Sequence, residues 1–349
     1  MVKKVKSSSD APVFHLRRLK PHNATKGGKR VKASRENFPS LQGMSLYRLT
    51  LYPNGVREPH WHANADELGY CLEGQAVVTF FGSGNMRESF IVKKGQVFLV
   101  PSGYIHCIEN IGKGNCEFLL EFSHELPEDF SLSSTMGMFS DAVLGNTWDR
   151  PSSVFKKLER DTQESFAVLQ TNPKKLSQET FYTSAYHYDL EGSLPVLIPE
   201  QGNAKVARKN VWPAVRSHVL YSLVISGSGM REPHWHPETA ELGYVAQGEA
   251  RMAVMMGTGE VKTYTLSEGD IYFIPKAYPH HIENLSKTDL HFLIFFDQPM
   301  PQDVGFTAGV RAFSDEVLGA CMGISSSFFQ ELPKYYVDQF VVNKKNVVD

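Results

Sequence analysis

Few cysteines and no long apolar run limit the classes of protein that this sequence can encode. Its 349 residues include four cysteines, Cys71, Cys107, Cys116 and Cys321, and none forms a CxxC pair. We therefore expect reduced thiols in a cytoplasmic protein rather than a disulfide framework or a thiolate zinc site. The sequence contains no run of roughly 18 apolar residues, which is the length that a membrane-spanning helix needs. The first residues also lack the apolar segment of a secretory signal.

The sequence also lacks a strong net charge. Its formal charge is −2 at pH 7, which predicts neither a nucleic acid nor a membrane surface as the partner and favours a small molecule. The N-terminus is the exception, with ten Lys or Arg against one acid between Met1 and Lys32. We interpret residues 1–30 as a solvated and partly mobile basic arm.

A repeated string determines the domain organisation. One string occurs twice without change, as Arg57-Glu58-Pro59-His60-Trp61-His62 and as Arg231-Glu232-Pro233-His234-Trp235-His236. The separation between Arg57 and Arg231 defines the offset that relates each residue of the first copy to its counterpart in the second. The match begins at Phe38 on Trp212 and continues without a gap to Leu158 on Leu332, so we predict two copies of one domain. The predicted segments are a first domain at 31–158, a connection with the second domain's first strand at 159–204, a second domain at 205–335 and a C-terminal tail at 336–349.

Both copies have the sequence pattern of β-structure. Short apolar runs are broken by Gly, Pro and Asn, which is typical of an antiparallel sandwich or barrel. The predicted strands of the first copy include Leu46 to Leu51, Ala76 to Phe81, Gln96 to Val100 and Phe118 to Phe122. Short helices are predicted at Ser140 to Leu144 and Ser314 to Leu318, where a Ser-Asp pair precedes an apolar stretch that ends in Gly.

The repeated string carries the residues of a candidate metal site. On a strand, His60 and His62 point to one face because side chains alternate. Glu67 follows shortly after His62, and His106 comes later in the same copy. The same spacings connect His234, His236, Glu241 and His280. A lone histidine would more often be structural, but this doubled set predicts two metal centres.

Three imidazoles and one carboxylate leave positions open on a six-coordinate ion. This mixed set of nitrogen and oxygen ligands suits Mn, Fe, Ni or Co better than a closed structural zinc site. Water or a substrate can occupy the open positions, so the site permits catalysis.

These residues make the chain similar to the bicupins of the oxalate decarboxylase family. The first cupin motif is matched by His60-x-His62-x4-Glu67-x6-Gly74 and by its copy from His234 to Gly248. The second motif is matched by Gly95-x5-Pro101-x-Gly103-x2-His106-x3-Asn110 and by its copy from Gly269 to Asn284, where Ala277 replaces a glycine. The resemblance implies an all-β fold of two tandem cupin (double-stranded β-helix, jelly-roll) barrels with short flanking helices.

The resemblance also implies a chemistry. It suggests Mn2+ at two sites, with Fe, Ni, Co or Zn as alternatives, and a small carboxylate such as oxalate as the substrate, with dioxygen as a further partner. Arg57 and Arg231 lie three residues before the first ligand of each site, where a guanidinium can bind a substrate carboxylate. A salt bridge at the barrel rim is the structural alternative for both arginines. Similar bicupins commonly form homo-oligomers.

One expected residue is missing. In the family, a glutamate on a mobile lid after the first barrel donates the proton that makes formate, and the corresponding position here holds Leu132. The second copy has Gly305 to Gly309 in this place, again without an acid. Glu125, Glu128 and Asp129 precede Leu132 and are the acids that can substitute if the lid folds differently.

Three functions stay open at this point. The first is a lyase of the oxalate decarboxylase type, and the second is an oxalate oxidase or another dioxygen-using oxidoreductase, which needs no proton donor for a carbanion. The third is a non-enzymatic bicupin that binds metal for storage, structure or ligand sensing. The resemblance favours an enzyme, either a lyase of the oxalate decarboxylase type or an oxidoreductase of the oxalate oxidase type.

Overall fold

The chain forms two units that each contain one copy of the repeat. The structure is a computed structural model that describes residues 13–173 and 183–346. The first unit is Leu19–Gly192, and the second joins residues 193–346 to residues 13–18.

Most elements of both units are short strands. The strands up to residue 173 are β1 (Val13–Phe14), β2 (Asn23–Ala24), β3 (Gly28–Ala33), β4 (Ser45–Leu51), β5 (Gly55–His62), β6 (Glu67–Glu73), β7 (Gln75–Phe81), β8 (Arg87–Lys93), β9 (Val97–Val100), β10 (Ile105–Asn110), β11 (Cys116–Phe122), β12 (Asp129–Ser131) and β13 (Ala167–Leu169). The strands after residue 183 are β14 (His187–Tyr188), β15 (Gly202–Ala207), β16 (Val219–Ile225), β17 (Gly229–Trp235), β18 (Glu241–Gln247), β19 (Glu249–Met255), β20 (Val261–Ser267), β21 (Ile271–Ile274), β22 (His280–Asn284), β23 (Leu290–Phe296), β24 (Val304–Gly305) and β25 (Val341–Asn343). The predicted all-β fold is confirmed.

Each unit builds two antiparallel sheets. In the first unit, one sheet has the order β12-β5-β10-β7-β8 with β13 also on β5, and the other has the order β14-β9-β6-β11-β4-β3-β2. The second unit repeats this plan with β24, β17, β22, β19 and β20 in one sheet, β25 also on β17, and β1, β21, β18, β23, β16 and β15 in the other.

Alternating side chains of these strands form the core. Tyr47, Leu49 and Leu51 of β4 lie in one buried apolar cluster with Phe118 and Phe122 of β11. Residues two apart on a strand point to the same face, so the alternation directs one apolar face of each sheet inward. All four strands predicted in the first copy are present, as β4, β7, β9 and β11.

The predicted helices begin where expected but are longer. The α-helices are α1 (Leu132–Met138), α2 (Asp141–Trp148), α3 (Phe306–Val310), α4 (Asp315–Met322) and α5 (Ser327–Glu331), and short 3-10 helices occur at Leu16–Arg18, Ser83–Asn85 and Ser152–Lys157. Ser140 caps α2 by accepting a hydrogen bond from the Val143 amide, as predicted. The prediction that the helix ends before Gly145 was wrong. Gly145 lies inside α2, where a side-chain carbon would come within 2.7 Å of the Arg150 carbonyl oxygen.

Segments assigned to a connection and a tail contribute strands to the two units. Strand β13, inside the predicted connection, pairs with β5, and β25, inside the predicted tail, pairs with β17 in the same way. The repeat therefore extends beyond the aligned pair Leu158 and Leu332. Phe166 directly precedes β13, Phe340 directly precedes β25, and the two residues are separated by the offset of the repeat. Both residues adopt a left-handed backbone with φ 63°.

The N-terminal segment is packed from the point where its description begins. Val13 and Phe14 pair with Tyr272 and Ile271 of β21, and Leu16 is buried. Arg30 lies inside β3 and is only 2% exposed. The predicted solvated arm is therefore wrong for strand β1, Leu16 and Arg30, while residues 17–26 are mostly exposed. The part of the arm from residue 1 to 12 lies outside the described residues.

One motif departure has a local cost. Ala277 adopts φ 62° at the position where Gly103 adopts φ 76° in the first unit. Alanine in this left-handed conformation costs about 1 kcal/mol relative to glycine. The second unit keeps the left-handed turn before His280 at this cost, although alanine stands where the first unit has glycine.

No helix in the described ranges is long and apolar enough to cross a membrane.

Candidate metal centres

The first predicted set of four residues comes together between the two sheets of the first unit. His60 and His62 lie on β5, His106 on β10 directly opposite His60, and Glu67 at the start of β6. All four are buried, and one potential ligand atom from each lies within 4.8 Å of the others. The ring centres of His60 and His106 are 4.1 Å apart. The pairing of β5 with β10 explains this contact, because it places His60 and His106 side by side on one sheet, and Glu67 approaches from the other sheet.

The second set forms the same arrangement in the second unit. His234 on β17 lies opposite His280 on β22, His236 directly follows β17, and Glu241 begins β18. These four side chains are also buried, with ligand atoms within 4.8 Å of one another. The separation between the ring centres of His234 and His280 is again 4.1 Å.

Backbone carbonyls fix the orientation of five of the six imidazoles. In each case the Nδ1 atom is within hydrogen-bond distance of a carbonyl oxygen, which leaves Nε2 directed into the site. The pairs are His60 with Glu58 at 2.8 Å, His106 with Tyr104 at 3.1 Å, His234 with Glu232 at 2.8 Å, His236 with Gln302 at 2.8 Å and His280 with Tyr278 at 2.9 Å.

The sixth imidazole has a carboxylate in place of a carbonyl. His62 Nδ1 is 2.9 Å from Asp129 Oδ1, and Asp129 lies on β12 directly beside His62. Arg30 Nη1 contacts the other oxygen of Asp129 at 2.6 Å. Burial alone would raise the pKa of Asp129, but the contact with His62 and the charges of Arg57 and Arg30 hold it well below its usual value. Asp129 is therefore an anion that orients His62.

The donor groups fit a divalent metal ion. Burial lowers the pKa of His60 and His234 well below the usual value, so both imidazoles are neutral and can donate a lone pair. Burial opposes ionisation of Glu67, but contacts with His106 and His62 outweigh it and hold its pKa at about 2. The Oε1 atom of Glu67 is buried without a hydrogen-bond partner among the described residues. A metal ion would satisfy this atom, whose burial otherwise has a free-energy cost.

The two sites differ at one residue of their surroundings. Tyr272 donates a hydrogen bond of 2.5 Å from its hydroxyl to Glu241 Oε1. The corresponding first-unit residue is Phe98, which has no hydroxyl to offer Glu67. In both units the aromatic ring lies across a glycine, Gly243 or Gly69, where a side-chain carbon would come within 2.2 Å of the ring. The second site therefore has one oxygen of its carboxylate already engaged, whereas the first does not.

The comparisons with known proteins agree with this architecture. The cupin family model matches residues 14–150 and 188–328, one match for each repeat. The chain belongs to the cupin family. With two cupin domains it is a bicupin, and its two buried His and Glu groups fit bicupin metal centres.

Several relatives of this bicupin are oxalate decarboxylases. The oxalate decarboxylase OxdC of Bacillus subtilis (strain 168) is 26% identical over 325 residues, which cover 88% of this chain and 81% of the relative. A germin-like protein of Arabidopsis thaliana, subfamily 2 member 2, is 31% identical over 148 residues, covering 42% of this chain and 68% of the relative. A solved structure of the Bacillus subtilis oxalate decarboxylase at pH 4.6 has a TM-score of 0.85 and 24% identity, with 98% of this chain and 89% of the other covered.

The two arginines of the repeated string are buried and bonded to acids. Arg57 Nη2 is 2.7 Å from Glu164 and 3.4 Å from Asp129, while Nη1 donates to the Phe166 carbonyl at 3.0 Å. Arg231 pairs with Asp303 and donates to the Phe340 carbonyl at 2.8 Å. The salt bridge considered as an alternative is therefore present in both units of the bicupin. Binding of a substrate carboxylate by either guanidinium stays a prediction.

The glutamate of the repeated string anchors two segments of each unit. Glu58 accepts hydrogen bonds from the Phe166 amide at 2.8 Å and from the Ser133 hydroxyl at 2.5 Å. In the second unit, Glu232 accepts from the Phe340 amide at 2.7 Å and from the Thr307 hydroxyl at 2.6 Å. The buried glutamate therefore connects three segments of its unit. In the first unit these are β5, the residue before β13, and α1; in the second unit they are β17, the residue before β25, and α3.

The region expected to form a lid begins a helix in this bicupin. Leu132 is the first residue of α1 and is 37% exposed, and its helix is capped by Ser131. Of the three acids considered as substitutes, Glu125 bonds Arg35 and the Gly43 amide, and Glu128 is exposed. Only Asp129 reaches the metal site, and it does so as the partner of His62 Nδ1.

The sequence contained an unused signal for several of these residues. Asp129 and Asp303, Glu164 and Asp338, and Phe166 and Phe340 are all separated by the same offset as the repeated string. When the alignment is continued to Asn343, the acids that recur are the candidate partners of the two arginines. Arg30 and Tyr272 gave no such signal, because their counterparts Ala204 and Phe98 are different residue types.

Proposed function

We propose that this bicupin uses two bound metal ions, of which at least one acts on a small carboxylic acid such as oxalate. The observation that carries the proposal is the pair of buried groups in which three imidazoles and one carboxylate converge. Outer contacts at Nδ1 orient the imidazoles, so each unit has a preorganised metal site. This arrangement leaves coordination positions for a ligand from solution.

Manganese and oxalate are supported by the relatives. Two curated relatives bear the name oxalate decarboxylase and a third the name probable oxalate decarboxylase, and one similar solved structure has a title that concerns Mn(II) centres of the Bacillus subtilis oxalate decarboxylase. Iron, nickel, cobalt and zinc are the alternatives. Any of these ions would polarise a carboxylate as a Lewis acid, and a redox-active ion such as manganese or iron would, with dioxygen, also permit one-electron oxidation.

Arg57 and Arg231 are proposed to stabilise the negative charge of a bound carboxylate. A guanidinium has five N–H groups, and the contacts described above leave some of them free for a further acceptor. Arg231 has the better position, because it lines a cavity together with His234, His236 and Glu241.

Decarboxylation also requires a proton donor, and Asp303 is the candidate of the second unit. Burial raises the pKa of Asp303, and the opposing charges of Arg231 and His236 do not cancel this effect. Its Oδ1 atom is buried without a hydrogen-bond partner among the described residues, and the residue lines the same cavity. Asp129 is a poorer donor, because its contacts hold its pKa well below the usual value.

Two reactions fit these groups. In decarboxylation, the oxalate dianion loses carbon dioxide, a proton from an acid such as Asp303 converts the remaining carbon into formate, and solvent then returns a proton to that acid. In oxidation, oxalate, dioxygen and two protons give two molecules of carbon dioxide and one of hydrogen peroxide. Leu132 at the expected donor position of the first unit favours this second candidate there.

The test is oxalate turnover by purified, manganese-loaded protein with all products quantified. We expect one formate and one carbon dioxide per oxalate for a lyase, and one peroxide with two carbon dioxides for an oxidase. The Asp303→Asn variant should reduce formate production about 100-fold or more if Asp303 is the proton donor. Its matched control is Asp129→Asn, which removes the corresponding acid of the first unit. Two bound metals without either product would refute both reactions and leave a metal-binding or sensing role.

Assembly into a homo-oligomer is proposed as well. The helices after each barrel expose apolar side chains at matching positions, with Val143 and Trp148 in the first unit and Val317 and Met322 in the second at 47–52% exposure. In the second unit, the exposed side chains of Phe306, Phe313 and Met322 line one apolar depression. Exposed apolar surface of this kind is typical of interfaces, and a second copy of the chain offers the complementary surface.

Sedimentation analysis tests this proposal. We expect a mass that is a multiple of 39.2 kDa, and a shift toward the monomer in the Phe313→Glu, Met322→Glu double variant. Val261→Glu is the control, because Val261 is also exposed but lies on β20. A monomeric unmodified protein would contradict the proposal.

The four cysteines are free thiols, and the cytoplasmic location stays a prediction.

A further inference from the structure

A cavity of about 100 Å³ adjoins the predicted metal ligands of the second unit. Its lining includes His234, His236 and Glu241 at one side and the side chains of Arg208 and Tyr221. On this measure a single water needs roughly 10–15 Å³, so the space suits a molecule of several non-hydrogen atoms. The cavity therefore connects a metal site to a second polar region.

Arg208 gives this second region its charge. Its Nη1 donates to the Tyr221 hydroxyl at 3.2 Å and its Nε donates to Asn210 at 2.9 Å. Within residues 13–173 and 183–346, no carboxylate forms an ion pair with Arg208. By contrast, Arg231 at the same cavity is paired with Asp303. A half-buried guanidinium without an acidic partner is well suited to bind an anion from solution.

In the first unit, a side chain occupies the space that corresponds to this cavity. At the position of Ala204, on the strand before Arg208, the first unit has Arg30. The Arg30 guanidinium lies 5.6 Å from the centre of the Tyr47 ring, and Tyr47 is the counterpart of Tyr221. Arg30 is also held by Asp129 and Asn23. The first unit has Ser34 in place of Arg208, so its arginine neutralises an internal acid instead of facing a ligand.

We propose that the second unit is the one that binds substrate, and that it selects a small dicarboxylate through Arg208. One carboxylate of the ligand lies at the metal centre beside Arg231, and the other accepts hydrogen bonds from Arg208. This inference rests on the proposed function for the action on a carboxylic acid. It adds the location of the substrate and the residue that distinguishes a dianion from a monoanion.

The experiment measures binding to metal-loaded protein by calorimetry, with oxalate, malonate and acetate as probes. For Arg208→Gln, we expect affinity for the two dianions to fall about 10- to 100-fold, since charge-assisted hydrogen bonds are lost. Acetate binding should change less than about threefold, because a monoanion occupies only the metal end. Arg35→Gln is the matched control, since Arg35 is an exposed first-unit arginine that pairs with Glu125.

A second variant tests the location independently. Ala204→Arg places in the second unit the side chain that fills the first, and we expect it to abolish dicarboxylate binding there while two metals per chain remain bound. Unchanged dianion binding in both Arg208→Gln and Ala204→Arg would overturn this inference. If oxalate turnover then continues, the proposed function stands with the substrate in the first unit. If no probe binds the unmodified loaded protein and no product forms, the proposed function fails as well.

Discussion

Replacing both His60 and His62 with alanine is expected to reduce the metal content from two ions per chain to one. These imidazoles contribute two of the four predicted ligands of the first site, and the remaining Glu67 and His106 cannot hold an ion in competition with water. The His234→Ala, His236→Ala double variant should lose the other ion. Elemental analysis of protein expressed with added manganese gives the stoichiometry directly.

The control for this experiment is His281→Ala. His281 adjoins the predicted ligand His280 but lies on the opposite face of β22 and contacts Glu283 at 3.4 Å. Two ions per chain should remain in this variant. One ion per chain in the unmodified protein would contradict the prediction of two sites.

The Asp129→Asn variant should weaken metal binding at one site about 10- to 100-fold. Asp129 is the only carboxylate among the six outer partners of the predicted histidine ligands, and its charge increases the basicity of His62. An amide has no such charge, so the ligand becomes a weaker donor. Competition with a chelator, analysed for two sites, would show one altered affinity and one unchanged affinity.

The repeat supplies the matched control, Asp303→Asn. Asp303 has the same position in the second unit but pairs with Arg231, while the Gln302 carbonyl orients His236. The second-site affinity should therefore change less than that of the first site in Asp129→Asn. Asp129→Glu, which keeps the charge, should recover part of the loss. Equal effects of Asp129→Asn and Asp303→Asn on metal affinity would refute this asymmetry.

Local pattern predicted the strands and the starts of two helices. The strands have apolar alternation bounded by Gly, Pro and Asn, and each of these features acts through the backbone of a few neighbouring residues. The end of α2 was mispredicted, because Gly145 serves close packing inside the helix instead of termination. The helix α1 was not predicted, since its start at Leu132 depends on the Ser131 cap and on Glu58 from another strand.

The repeated string predicted which residues form the candidate metal centres, but it did not predict the residues that contact them. Both groups of four could be found by spacing because each is repeated, and repetition distinguishes a ligand set from scattered histidines. For Arg57, the repeat indicates only which acids recur. It does not show that Glu164 contacts Arg57, since Glu164 is distant in sequence and approaches only when β13 pairs with β5.

The sequence by itself determined the duplication, the cupin fold and the two groups of His and Glu, because these follow from period, alternation and fixed spacing along one chain. Only the tertiary structure decided how the two centres differ. Arg30 fills a space that Ala204 leaves open, Tyr272 bonds a carboxylate that Phe98 cannot, and Asp129 and Asp303 face different partners. These differences depend on side chains that meet across sheets, and no spacing in the sequence encodes such contacts.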